Sequence, residues 1–200
     1  MPPSVLGGDL SLTSTGAAQI TDTGHVTTWV KTTDSLPCHL GHKPCPEKHH
    51  KDLVEVHDRI RSIFLWFTGL VTVNTKLVVL EGPLPGAATL GQPDERAALR
   101  WLIIDRLIRA EVPVAVLNPT TMKGYIAGNG HAAKADVKRA VAACWPGFGL
   151  ARITDDEADA VALATAGCDW IGFDGPWLDG RRGAGWLKKA QWPEREAVRA

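Results

Sequence analysis

Four carboxylates stand at places in the chain where acids are costly. Asp9 ends the apolar run from Val5, and Glu81 ends Lys76-Leu77-Val78-Val79-Leu80-Glu81. Asp156 and Asp159 follow Thr154, and their spacing of three places them on one face of a helix. If neighbouring strands bring Asp9 and Glu81 to that face, several negative charges converge. At an effective dielectric near 20, two such charges ~4 Å apart repel by about 4 kcal/mol. A proton or a cation must then neutralise the cluster. Donors that are all oxygen favour Mg²⁺, with Mn²⁺ as a substitute. Two such ions ~3.5–4 Å apart stabilise the attacking and leaving oxygens of an in-line displacement at phosphorus. Taken singly, each acid has a plainer reading. Strand-end acids form turns, and the helix dipole favours Asp155 and Asp156 near a helix N-terminus. Glu157 is explained as the partner of Thr154 in a capping box. The joint pattern favours a metal site.

The elements that must position these acids can be read from periodicity. Val5 to Leu10 reads as a buried strand. Ala17 to Ile20 and His25 to Val30 read as two more, joined by the turn Thr21-Asp22-Thr23-Gly24. Residues 34–50 hold three prolines and four histidines and read as a loop. Leu53, Val56, Ile60, Ile63, Phe64 and Phe67 form one helical stripe. Lys76 to Glu81 is a strand cut off by Gly82-Pro83. Helices are predicted over Asp94 to Arg109 and Lys134 to Cys144, with a strand between at Val112 to Leu117 and a short helix before Gly128-Asn129-Gly130. A last helix opens at Thr154. Strands alternating with helices after an initial hairpin predict an α/β sheet, part antiparallel and part parallel.

At 200 residues with 44% hydrophobic content, the chain has the size and composition of one α/β domain. Twenty-two Lys+Arg balance twenty-two Asp+Glu, which excludes a uniformly basic nucleic-acid tail. The longest apolar stretch, Ile63 to Val73, is interrupted by Thr68 and Gly69, so no membrane span is expected. No secretory signal is visible, and four scattered cysteines suit a reducing cytoplasm. Charge is uneven, however. Residues 118–152 carry Lys123, Lys134, Lys138, Arg139 and Arg152 against Asp136 alone. Such a face neutralises phosphates with sequence-independent, salt-sensitive affinity, although a solvated helix face is the plain alternative. Gly128-Asn129-Gly130 could bring backbone N–H groups to a phosphate. His131 could orient water, protonate a leaving group or touch a phosphate.

VLGGDLSLTSTGAAQI, LVVLEGP, VLNPTTMKGYIAGNGHAAKADV and DDEADAVALA together resemble, in order, the four motif regions of RuvC-type Holliday junction resolvases. The resemblance spans about residues 5–166. It implies an RNase H-like fold, a mixed central sheet flanked by helices. It also implies that Asp9, Glu81, Asp156 and Asp159 are the catalytic acids and hold Mg²⁺. Asp155 competes with Asp156 for the face of Asp159, and the register of the family pattern favours Asp156. In the family, Lys123 and Lys134 match DNA-contacting lysines, and Lys138, Arg139 and His131 extend that surface here. The implied activity is metal-dependent hydrolysis of Holliday junctions and other branched DNA, flaps or replication forks included, leaving a 5′-phosphate and a 3′-hydroxyl. Paired cutting of a four-way junction implies a homodimer. Its apolar interface is expected on the helix from Leu53 to Phe67 or on that from Arg96 to Ile108.

The chain also departs from the family. Gly82-Pro83-Leu84-Pro85 lacks the aromatic wedge expected after the strand-four acid, and the departures point to a phage version acting in the host cytoplasm. The tail after Trp170, with Trp177, Trp186, Trp192, Arg181-Arg182 and Lys188-Lys189, matches nothing in the family. It is expected as an extension, residues 170–200, beyond a nuclease domain of residues 1–169. Its tryptophans either stack on bases or, the favoured reading, pack the tail onto the core. Cys38, His39, His42, Cys45, His49 and His50 tempt as a zinc cluster, but the gap between the cysteines does not match the usual ligand spacing. Cys144 and Cys168 read as buried small residues. Two other classes compete with the nuclease. One is a junction-binding module without catalysis. The other is an actin- or sugar-kinase-like phosphate-binding domain, suggested by Gly8 to Gly16, although the chain is short for that.

Overall fold

Leu77 and Val79 of one strand meet a different layer from Val78 and Leu80, and this division organises the molecule. The computed structural model describes residues 2–34, 52–83, 93–147, 153–180, 183–194 and 198. The Cys/His loop, Leu84, Arg152 and Arg181-Arg182 lie outside the described residues.

Five strands form one sheet: β1 (Ser4–Asp9), β2 (Ser14–Thr21), β3 (Val26–Thr32), β4 (Thr75–Glu81) and β5 (Val114–Leu117). Their order is β3-β2-β1-β4-β5. The first three are antiparallel, turning at Gly24 with φ +80, whereas β4 lies parallel to both β1 and β5. The apolar run of β4 follows from burial on both faces, as parallel strands require.

On one face lie α1 (Leu53–Gly69) and α2 (Pro93–Arg109), which cover Leu6, Ala17, Val78 and Leu80 with Ile63, Phe67, Leu99 and Ile103. The other face is covered by α3 (Pro119–Ala127), α4 (Lys134–Cys144) and α5 (Asp155–Ile171). Helices α1, α3 and α5 open where a side-chain cap satisfies free N–H groups. Asn118 accepts from Thr121 N at 2.7 Å, and Thr154 and Glu157 form the reciprocal box. A short helix, α6 (Trp177–Gly180), and a 3-10 turn (Ala184–Lys189) follow.

The tail is seated on this second layer. The Trp177 ring is fully buried and lies 4.9 Å from that of Trp145, while Trp170 stacks on Trp192 at 5.0 Å. Gln191 bridges to Val116 at the sheet edge. Cys144 and Cys168 are buried.

Candidate metal centre and nucleic-acid interface

The sheet register sets the first two acids side by side. Gly8 pairs with Leu80 across the parallel β1–β4 ladder, so the next residues, Asp9 and Glu81, emerge together at the ends of their strands. Asp9 is only 8% exposed, and its carboxyl group is hydrogen-bonded to that of Glu81. Burial first, then the charge and hydrogen bond of Glu81 and the charge of Asp156, push the Asp9 pKa well above the usual carboxylate range; Lys134 opposes them. Burial also raises Glu81. The hydrogen bond with Asp9 pulls it back, Asp159 adds to the rise, and Lys123 and Arg96 counter it. The two carboxyl groups thus titrate as a pair, both held above the usual range.

The helix carrying the other acids is placed by close approach of backbone to backbone. Asp9 pairs with Gly16 across the β1–β2 ladder. A Cβ on Gly16 would lie 2.2 Å from the carbonyl oxygen of Asp156, and one on Gly7 would lie 2.2 Å from that of Ala160. Only glycine admits the helix this near the sheet. Ser14 Oγ then donates to the Asp156 carboxylate and fixes its direction. Asp159, one turn on, is raised to about 7 by burial and by the charge of Asp9, against the pull of Lys123 and Lys134, with Asp156 adding to the rise. Each of the four acids thus acts on at least two of the others across the end of the sheet.

Asp155 faces elsewhere. It accepts Lys134 at 3.4 Å and Lys138 at 3.3 Å, so it belongs to the α4 face, whereas Asp156 belongs to the β2 face. Burial alone would raise Asp155, but these two lysines hold it below the usual range. Burial pulls Lys134 down, and the bond and charge of Asp155 with the charges of Asp156 and Asp159 outweigh it, so its pKa rises.

Lys123 on α3 reaches Glu81 and Asp159 electrostatically. Lys138 is half-buried against Asp155. The Arg139 guanidinium is paired with Asp136 one turn back on the same helix. His131 is exposed, and its backbone N–H is held by Asn129 Oδ1 at 3.0 Å. Gly128 is spent as the left-handed cap of α3, φ 78. Ser14 and Arg96 belong to this site and were not expected. Ser14 sits in a Ser/Thr-rich turn like many others, and Arg96 on the exposed side of a helix carries no local signal.

Among the described residues, no three His, Cys, Asp or Glu side chains stand together as a ready metal cage. The donors nonetheless fit a divalent cation in chemistry. They are all carboxylate oxygens, two of them, on Asp9 and Glu81, are hydrogen-bonded to each other, and the nearby nitrogens belong to lysine and arginine cations, which do not ligate.

No protein-family model matches the chain, and no curated protein sequence matches it significantly. Solved structures do. A structure of Thermus thermophilus RuvC matches with TM-score 0.53 at 22% identity, covering 86% of this chain and 98% of that one. T. thermophilus RuvC in complex with a Holliday junction substrate matches with TM-score 0.52 at 21% identity, covering 90% and 98%. The fold is accordingly RNase H-like, of the RuvC kind. The likeness carries the fold and says nothing of a phage source. No helix among the described residues is long and apolar enough to cross a membrane.

Proposed function

We propose that this chain is a divalent-metal-dependent endonuclease that cuts branched DNA, four-way Holliday junctions above all. One observation carries the reading: Asp9 and Glu81 touch at the ends of parallel strands, with Asp156 and Asp159 turned toward them and Lys123 and Lys134 facing the same acids. The fold shared with a RuvC bound to a Holliday junction supports it.

In this reading Asp9, Glu81, Asp156 and Asp159 hold Mg²⁺, or Mn²⁺ in its place. A cation held there would supply Lewis-acid chemistry toward phosphate and water. The chain supplies the rest. Ser14 keeps the Asp156 carboxylate turned inward. Lys123 and Lys134 take the non-reacting phosphate oxygens and balance charge that builds at phosphorus. Lys138, Arg139 and His131 lengthen the contact along the backbone. Residues 1–169 form the nuclease and 170–200 its extension, at work in the cytoplasm. Paired nicks need two sites, so the active form is a homodimer. Trp101, Leu102 and Ile108 on α2, with Leu65 on α1, offer exposed apolar surface for a second copy.

The test is cleavage of a labelled four-way junction in Mg²⁺, in EDTA and by Glu81→Gln. Paired nicks are expected in Mg²⁺ and none in EDTA. Even outer partners of metal ligands cost 10–100-fold, so the variant should be slower by at least about 100-fold while still binding. Tight binding without cutting in Mg²⁺ would replace the nuclease with a junction-binding module. ATP hydrolysis without DNA would instead favour the phosphate-binding domain.

A further inference from the structure

The C-terminal segment reaches the site through one aromatic ring. The Trp186 ring lies on α3 at Gly124: a Cβ on Gly124 would stand 2.2 Å from the ring, and one on Gly130 would stand 3.2 Å from its edge. Gly183, which opens the 3-10 turn, donates its N–H to the Tyr125 carbonyl at 3.0 Å and leaves no room for a Cβ, which would fall 2.0 Å from the Gly124 oxygen. Lys189 Nζ sits 3.6 Å from the Trp186 ring centroid, a cation–π contact that helps hold the turn.

Helix α3 has nine residues, too few to be stable alone. Its direction must come from what grips it. Met122, Tyr125 and Ile126 are buried in the core, and Gly124 is covered by Trp186. Successive side chains on a helix point about 100° apart, so fixing 122 and 124 leaves one direction for Lys123. That direction brings its charge to bear on Glu81 and Asp159.

We propose that Trp186 is a positioning residue for Lys123: the tail clamps α3 at Gly124 and thereby aims the Lys123 ammonium at DNA phosphate beside the acid cluster. The proposal rests on the nuclease reading, in which Lys123 meets phosphate. Its test needs neither metal nor turnover. Four-way junction affinity is measured in EDTA over a range of salt for the full chain, Lys123→Ala, Trp186→Ala and the double variant. Losing one phosphate contact should flatten the slope of log affinity against log salt by about 0.9. Trp186→Ala should flatten it by most of that amount and weaken binding several-fold. The double variant should be no worse than Lys123→Ala. Trp186→Leu keeps an apolar side chain without the flat ring, and it carries the same comparison if Trp186→Ala does not fold. An undiminished slope in the tryptophan variants, or an equal further loss in the Lys123→Ala background, overturns the proposal. A Lys123→Ala chain that binds with the original slope removes the lysine's role instead, and with it the reading on which the proposal stands.

Discussion

Asp9 lies between two glycine-mediated neighbours: it follows Gly8, which pairs with Leu80 next to Glu81, and it pairs with Gly16, which seats the backbone of Asp156. The spacing of the three backbone segments that carry these carboxylates is thus set by contacts that do not change with side-chain rotamer. Charge repulsion among the acids works against a rigid scaffold and is left for a proton or a cation to relieve.

That strain has a pH signature in the metal-free chain. An unfolded aspartate titrates near 4, whereas folded Asp159 stands at about 7 and Asp9 and Glu81 are raised as well. Between those values the folded chain holds more protons than the unfolded one, so stability falls as pH rises through the window. Thermal denaturation in EDTA should show Tm dropping from about pH 5 to about pH 8. Asp159→Asn should flatten the drop, and millimolar Mg²⁺ should raise Tm most at the alkaline end by binding the folded state. A Tm in EDTA that climbs across this range would contradict the raised acids.

The adjacent aspartates should separate cleanly. Asp156→Asn removes a candidate ligand held by Ser14 and should slow junction cleavage by about 100-fold or more. Asp155→Asn only releases Lys134 and Lys138 from partly exposed ion pairs, each worth about 0.2–1 kcal/mol. Its cleavage rate should stay within a few-fold, with junction affinity unchanged or higher. Single-turnover rates and binding isotherms on both variants decide it, and equal losses would refute the assignment of faces.

Much of this arrangement was legible because periodicity reports burial. The double-sided strand ending at Glu81, the hairpin turn at Gly24 and the Thr154 cap all read directly from local pattern. The choice between Asp155 and Asp156 was not local. Both lie in one helical turn, and what separates them is Ser14 and the α4 lysines, remote in sequence. Arg96 was hidden for the same reason, since its bearing on Glu81 comes from the packing of α2 beside β4 and β5. The tail was hardest: its tryptophans signalled burial, but only the close approach at Gly124 shows where Trp186 lands.

Gly16→Ala tests the seating of α5. The added methyl would overlap the Asp156 carbonyl, and strand and helix can part only by breaking the tight β2–α5 contact. Overpacking of this kind costs about 1–3 kcal/mol. The variant should unfold at correspondingly lower urea, and at temperatures where it remains folded its cleavage rate should fall by more than tenfold, because Asp156 and Asp159 move together. Ser14→Ala, which removes a hydrogen bond without moving the helix, should keep most of its stability and lose less activity. Urea titration read beside cleavage rate separates the two effects, and a Gly16→Ala chain of native activity would show that the seating is not needed.

The dimer can be judged by what it would cover. Trp101 and Ile108 are 64% and 63% exposed and stand seven residues apart on α2, hence on one face, with Leu102 at 47% beside them. A soluble chain seldom leaves such a stripe uncovered, and both helices that carry exposed apolar residues lie on the sheet face opposite α5. A second copy joined there would keep the two acid clusters away from the interface and open to the two strands of a junction. Sedimentation at micromolar concentration should therefore report a dimer. The double substitution Trp101→Lys and Ile108→Lys should give a monomer that stays folded, its Tm lower only by the lost association, because neither side chain is part of the core. That monomer should nick single strands slowly and lose the coincident paired cuts. A monomeric native chain that still makes paired cuts would show that one copy visits both strands in turn, and the apolar stripe would then serve another partner.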